Sequence, residues 1–264
     1  MAVVVVTSGP GSPGTTTSAL ALALTWPRHV LLADCDRDPS HAVLAGWLRG
    51  LDAGGRGLPS VAQAHRERRP LADELWLHTL ALTGSGGVDR RFLPGFATPQ
   101  AVALFDGVWG PLVDAFRALD AMGVDVVVDA GRVGPRGLAA DVVAGADVVV
   151  AVTGSHLRSL AALRLHLPTV QDQLRRLPTE VPLGLCVVGP GRPYGTDEIA
   201  RQFGVDVWGT LPWDARAAAV LLDGEPAPKR FEQQGFMGQA RAVAQRLEER
   251  THGLRESREA LIHA

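Results

Sequence analysis

Short, nearly continuous apolar runs separated by helix-patterned stretches dominate this chain. The runs fall at about 2–7, 29–34, 75–82, 124–129, 147–153 and 182–188, with a last one near 205–211. Val and Leu fill them without alternation, which marks strands buried on both faces and therefore a mostly parallel sheet covered by helices. Helical patterns occur near 15–25, 39–49, 98–121, 136–145, 156–177, 195–203, 214–222 and 232–251. This alternation predicts an α/β fold: a doubly wound, mostly parallel sheet of about seven strands with helices on both faces. Ligands of such sheets bind beyond the carboxyl ends of the strands, and Gly9–Thr17, Asp34–Asp38 and Asp129–Gly134 all converge there.

The Gly- and Arg-rich segment Asp52–Arg69 reads as a surface loop with a short helix, and Gly84–Asp89 as a loop after the third strand. No internal repeat is visible. Residues 1–250 read as one domain and 251–264 as a polar, frayed C-terminal tail. Leu247, Leu254 and Leu261 recur at seven-residue spacing, but Gly253 interrupts them, so the segment reads as a terminal helix with a solvated end rather than a coiled coil.

Composition narrows the function classes. The 264 residues are 46% hydrophobic and 20% charged, with a net charge of −2. That balance gives no global drive toward DNA or an anionic membrane, although local basic patches stay open. No apolar run reaches the roughly 18–20 residues of a membrane span. The first apolar run lacks the basic flank of a secretory signal. The two cysteines, Cys35 and Cys186, have neither metal-ligand spacing nor a disulfide framework. A cytoplasmic location is expected. The Ala, Gly, Pro and Arg excess with a single lysine, Lys229, matches a GC-rich genome of actinobacterial type.

That single lysine matters at one place. Gly9-Pro-Gly-Ser-Pro-Gly-Thr-Thr-Thr17 lies between an apolar strand run and a helix, and Gly9-x-x-x-x-Gly14 has the spacing of a phosphate-binding loop. Thr16 occupies the place of the Mg²⁺-binding hydroxyl, and Thr15 the place of the lysine that reaches the β- and γ-phosphates. Pro10 and Pro13 each remove a backbone donor. The helix N-terminus behind the loop still offers amides and a favourable dipole to an anion. Loss of a charge-assisted contact to phosphate costs about 1.5–3 kcal/mol, a tenfold to hundredfold loss of affinity.

At these residues the chain resembles the ParA/MinD group of P-loop ATPases, in its CpaE/TadZ-like or actinobacterial MinD-like branch. The family loop reads Lys-Gly-Gly-x-Gly-Lys-Thr-Thr, against Pro10, Gly11, Ser12, Pro13, Gly14, Thr15, Thr16 and Thr17 here. Both family lysines are replaced: Thr15 stands for the usual one, and Pro10 for the signature one that reaches a partner's nucleotide across a dimer. The resemblance implies ATP and Mg²⁺ as cofactors. Gly9, Gly11, Gly14, Thr15, Thr16, Thr17 and the Pro212 turn would then surround the nucleotide, with Thr16, Asp34 and Asp129 toward Mg²⁺ and Asp36 placed to orient the attacking water. Asp34 and Asp36 have a second reading, as strand-end carboxylates ahead of a helix cap at Asp38-Pro39-Ser40. Asp129 ends a strand similar to Walker B, but Ala130, Gly131 and Arg132 follow where the family has Asp-x-Pro-x-Gly. Val188 and Gly189 occupy the region of the base-reading asparagine. Arg37 and Arg132 are either surrogate cations or ordinary salt-bridging arginines.

The resemblance and its departures together predict a degenerate ParA/MinD-like protein, a localisation or assembly factor with weak or no ATP hydrolysis. Protein partners of a pilus, secretion or polar assembly, and a homodimer, go with that reading. The alternatives are an active ATPase that uses a surrogate cation to position cellular cargo, and a DNA-associated partition protein, which lacks a basic face. The six tryptophans are assigned to packing, and the spacing of the eight histidines supports no metal site. The C-terminus lacks the basic amphipathic character of a membrane anchor.

Overall fold

A computed structural model of the chain describes residues 1–11, 14–83, 87–135, 137–233 and 235–262. In chain order the elements are β1 (Val3–Ser8), α1 (Thr15–Thr25), β2 (Val30–Asp34), α2 (Ala42–Ala45), α3 (Leu58–Arg66), α4 (Leu71–Glu74), β3 (Leu80–Ala81) and β4 (Arg90–Leu93). There follow α5 (Pro99–Ala103), α6 (Trp109–Ala118), β5 (Asp125–Arg132), α7 (Ala140–Ala144), β6 (Val148–Gly154) and α8 (Leu157–Arg175). The last are β7 (Leu183–Val188), α9 (Thr196–Phe203), β8 (Val207–Leu211), α10 (Ala215–Leu222) and α11 (Gly235–Ile262).

The strands form one sheet in the order β3-β4-β2-β5-β1-β6-β7-β8, parallel everywhere except between β3 and β4. β1 lies in the middle, and its valines divide between the two faces. Val3 and Val5 join a core with α3 to α7, whereas Val4 and Val6 pack with α1, α10 and α11. Ten of the eleven residues of α1 are buried, because α10 and α11 cover its outer side. The chain leaves β1 toward β2 on one side and crosses to β6 on the other. The carboxyl end of β1 is therefore the crevice where such sheets take ligands.

The predicted architecture holds, with local differences. The run expected as a strand over 75–82 begins as a 3₁₀ turn, Leu75–His78, and only Leu80–Ala81 pair. β4 escaped the pattern because two arginines open it, yet Phe92 and Leu93 are buried and pair parallel to β2. The sheet thus has eight strands rather than about seven. The helix expected over 98–121 breaks into α5 and α6, followed by a 3₁₀ turn at Leu119–Met122. The break folds Phe105 onto Phe96 and Trp109, edge to face, with ring centroids 4.7–5.8 Å apart. The helix expected over 39–49 shrinks to α2, and α7 begins at Ala140 rather than near 136. Ser12, Pro13, Gly84–Gly86 and Arg136 lie outside the described residues.

The segment 251–264, expected as a frayed tail, continues α11 to Ile262. Thr251 is fully buried and donates to the Leu247 carbonyl at 3.0 Å, and Leu254 packs against the core. Arg255 reaches the Asp147 carboxylate at 3.3 Å, which ties this end of the helix to the start of β6. Gly253 is accommodated within the helix. The third member of the leucine repeat, Leu261, has a side chain outside the described set.

Two buried carboxylates hold the opposite end of the sheet. Asp125 accepts the Ala2 amide at 2.6 Å and the Trp26 indole N–H at 2.9 Å, and Asp147 accepts the Val3 amide at 2.8 Å. These amides open β1, where water is excluded, so a carboxylate supplies the missing acceptor. Asp125→Ala leaves two buried donors unmet. It should lower unfolding free energy in urea by about 3 kcal/mol, with Asp125→Asn costing less than half of that. Equal losses in the two variants would contradict this assignment.

Candidate functional site

β1 ends at Ser8, and Gly9 turns the chain against α8, where a Cβ would come 3.3 Å from the Ala162 backbone. Pro10 and Gly11 are exposed at the turn. Gly14 enters α1 in the left-handed region, at φ 90°, and its carbonyl accepts the first helical bond, from Ser18 N at 2.8 Å. The amides of Thr15, Thr16 and Thr17 precede that bond and have no partner within the helix, which makes this end of α1 an anion site.

The three threonines diverge. Thr15, in the place of the lysine, is buried and donates its hydroxyl to Ser8 Oγ, so it turns under the loop. Thr16 is half-buried and hydrogen-bonds the Asp129 carboxylate. Thr17 is buried behind the loop.

Sheet register brings the carboxylates together. Asp34 and Asp129 are directly paired between β2 and β5, and Cys35 N donates to the Asp129 carbonyl at 2.8 Å. Asp34 accepts the Asp36 amide at 3.2 Å, Asp36 the Asp38 amide at 2.8 Å, and Asp129 the Gly131 amide at 3.0 Å. Glycine makes the crowding possible. A Cβ at Gly95 would lie 2.7 Å from Asp34 Cγ, and one at Gly131, where φ is +64°, would lie 2.0 Å from Asp36 Oδ1. Gly131 therefore makes room for Asp36.

Burial, more than mutual repulsion, governs the titration of these acids. It holds Asp34 well above the usual carboxylate range, with Asp129 adding to the effect. Burial likewise pushes Asp129 up to about 6, against hydrogen bonds from Thr16 and the Gly131 amide, and with repulsion from Asp36. Asp36 is raised by burial too, while Arg132 and Arg37 pull it back.

The two candidate cations are placed differently. Arg37 donates to the Gly137 carbonyl, in the segment after β5. Gln173 of α8 clamps the next residue, accepting from Leu138 N and donating to Leu138 O, both at 3.0 Å. Arg132 is exposed and lines a cavity of about 230 Å³ with Gly14, Thr16, Asp36 and Ser40. A second cavity of about 100 Å³ shares Gly14 and Thr17 with the first and is walled by Val188, Pro212 and Trp213. Trp213 is a correction to the packing assignment, being 46% exposed there. Its position just after the Pro212 turn was the only signal that could have found it.

Thr16 and Asp129 could hold a Mg²⁺ that arrives with bound phosphates, which supply its remaining ligands together with water. Among the described residues no group of three His, Cys, Asp or Glu is set to hold a metal ion by itself. Such an ion would neutralise charge between Asp129 and the phosphates. Of the site residues expected from sequence, Gly14, Thr15, Thr16, Thr17 and Asp36 line one crevice, Pro212 lines the adjoining one with Gly14 and Thr17, and Asp129 is buried beneath Thr16. Asp34 is buried beside Asp129 as its cross-strand partner, and Gly9 lies against the Ala162 backbone of α8.

The raised pKa of Asp129 has a stability consequence. Its pKa in the folded state exceeds the ordinary 3.8, so folding favours the protonated form, and stability falls as pH rises from about 4 through about 6. Asp129→Asn should flatten that dependence and, in Mg²⁺-free buffer above pH 7, raise unfolding free energy by about 1–3 kcal/mol. Denaturant melts of both proteins across that range check it. An unchanged pH profile contradicts the assignment.

No family model matches the sequence, and no curated protein matches it. Solved structures do match. A ParA family ATPase from Chlorobium tepidum TLS superposes with a TM-score of 0.71 at 16% identity, over 92% of this chain and 98% of that one. The MinD cell division protein of Aquifex aeolicus gives 0.67 at 18% identity, over 94% of this chain and 98% of that one. The Cyanothece McdA(D38A)–ATP complex gives 0.66 at 14% identity, over 96% of each chain. The chain has the ParA/MinD type of P-loop NTPase fold.

Proposed function

We propose that this chain is a degenerate ParA/MinD-like protein, a localisation or assembly factor in which nucleotide binding is weak and hydrolysis weak or absent. The observation that carries the reading is Thr15: the residue in the lysine's place is buried and donates to Ser8, leaving no lysine in the loop. The loop amides still suit an anion. In a hydrolytic transition state, however, charge builds on the transferred phosphoryl group, and preorganised cations supply most of the stabilisation. Its work then rests on protein partners, for which a polar, pilus or secretion assembly fits the branch that the loop resembles. Among the described residues no helix is long and apolar enough to cross a membrane.

One observation favours a second reading, an active ATPase. Arg132 lines the loop cavity and acts on the Asp36 carboxylate, so it stands where a surrogate cation would.

A phosphate-release assay with ATP and Mg²⁺ separates the two. The degenerate reading predicts little or no turnover for the native chain, unchanged by Arg132→Ala, whereas turnover abolished by Arg132→Ala and by Asp129→Ala establishes the second reading. Thr15→Lys should raise ATP affinity tenfold to hundredfold, about 1.5–3 kcal/mol. An affinity unaltered by that substitution would show that the missing lysine is not what limits the site.

A further inference from the structure

β8 closes one edge of the sheet. β7 pairs with one side of it, and among the described residues no strand pairs with the other. A groove of about 910 Å³ runs along this free edge, with β8 as its floor, Asp197 of α9 on one wall, Arg246, Glu249 and Arg250 of α11 on the other, and Asp206 where the chain enters β8. A free strand edge presents a row of N–H and C=O groups that another extended backbone can match.

Trp208 is the second, independent observation. Leu185 pairs with Val207 and Cys186 with Gly209, so Trp208 is the extra residue of a β-bulge. Its ring packs against Gly184, where a Cβ would come within 2.0 Å, and the Arg250 guanidinium sits 4.4 Å from the ring centroid. Trp208 is 8% exposed, lines the groove, and its indole N–H has no hydrogen-bond acceptor among the described residues. Buried donors are nearly always satisfied, so this one calls for an acceptor from outside. Arg246 and Arg250, one helical turn apart, form no ion pair among the described residues, and Glu249 between them leaves that wall net positive.

The groove also selects the kind of occupant. A strand needs to approach within about 4.8 Å of β8 to pair with it. A second copy's β8 is flanked by its own α9 and α11, so pairing two such edges brings four helices together, whereas a lone segment brings none and enters between the walls. Side chains of an extended segment alternate between faces, so acidic residues toward α11 and neutral or basic ones toward Asp197 match the two walls.

We propose that this groove binds an extended segment of a protein partner as an added strand on β8, with an acidic side chain set against Arg250 and the Trp208 indole N–H. Selection of displayed random linear peptides on the full chain, followed by anisotropy titration of the enriched ones, tests it. Enriched peptides should carry acidic residues at alternating positions and lose at least about tenfold in affinity for the Arg250→Glu chain. The Trp208 indole N–H resonance should shift on binding. Arg250 is exposed, so its substitution leaves the fold intact, which the same spectrum checks. Absence of acidic enrichment, indifference to Arg250→Glu, or an unmoved indole resonance each overturns the proposal. Sedimentation showing a concentration-dependent dimer that Arg250→Glu abolishes would give the edge to a second copy, and overturns it as well.

Discussion

Asp34 and Asp129 stand side by side because β2 and β5 pair in that register, and the sheet buries both. Two carboxylates in a dry site cannot both carry charge unless a proton or a cation compensates them. In a phosphate-binding loop with its lysine, the compensation comes from that side chain and from a magnesium ion that the phosphates help to hold. Here Thr15 supplies neither charge nor reach. The burden therefore falls on protonation, on the Thr16 hydroxyl and on backbone amides, and the raised pKa values of both acids record it. The rest of the crevice is arranged around this constraint. Gly95 and Gly131 give up their side chains to admit the carboxylates, and Arg132 lies near Asp36 where a positive charge is most useful.

On the proposed reading, the crevice has the shape of a phosphate site without a lysine's charge. The helix N-terminus, the left-handed Gly14 and the apolar pocket beside Pro212 persist, and each depends on backbone path more than on side-chain identity. The segment after β5 is pinned by Arg37 and by the Gln173 amide. A segment tied on two sides is poorly suited to the order–disorder change by which nucleotide-driven switches work. A scaffold that presents surfaces to partners needs no such change.

Much of this was legible in the sequence, for physical reasons that also explain what was not. The central strands could be read because double burial demands unbroken Val and Leu, as in Val3–Val6 and Val126–Val128. β4 could not, since an outlying strand tolerates Arg90 and Arg91 on its half-covered surface. The split between α5 and α6 depends on a tertiary aromatic cluster, which periodicity does not encode. The continuation of α11 to Ile262 rests on Thr251, Leu254 and Arg255 finding partners on distant elements. At the site, loop spacing singled out Gly14 and Thr16, and the apolar strand run singled out Asp129 at its end. The inward turn of Thr15 toward Ser8, the room that Gly131 makes for Asp36, and the exposure of Trp213 are matters of packing geometry and needed coordinates.

On the proposed reading, the site has the frame of a nucleotide crevice without the electrostatics that tight nucleotide binding requires. Isothermal titration of the native chain with ATP and Mg²⁺ tests it most directly. The account predicts heats too small to fit a micromolar site. Saturable binding in the micromolar range, accompanied by turnover, would contradict it.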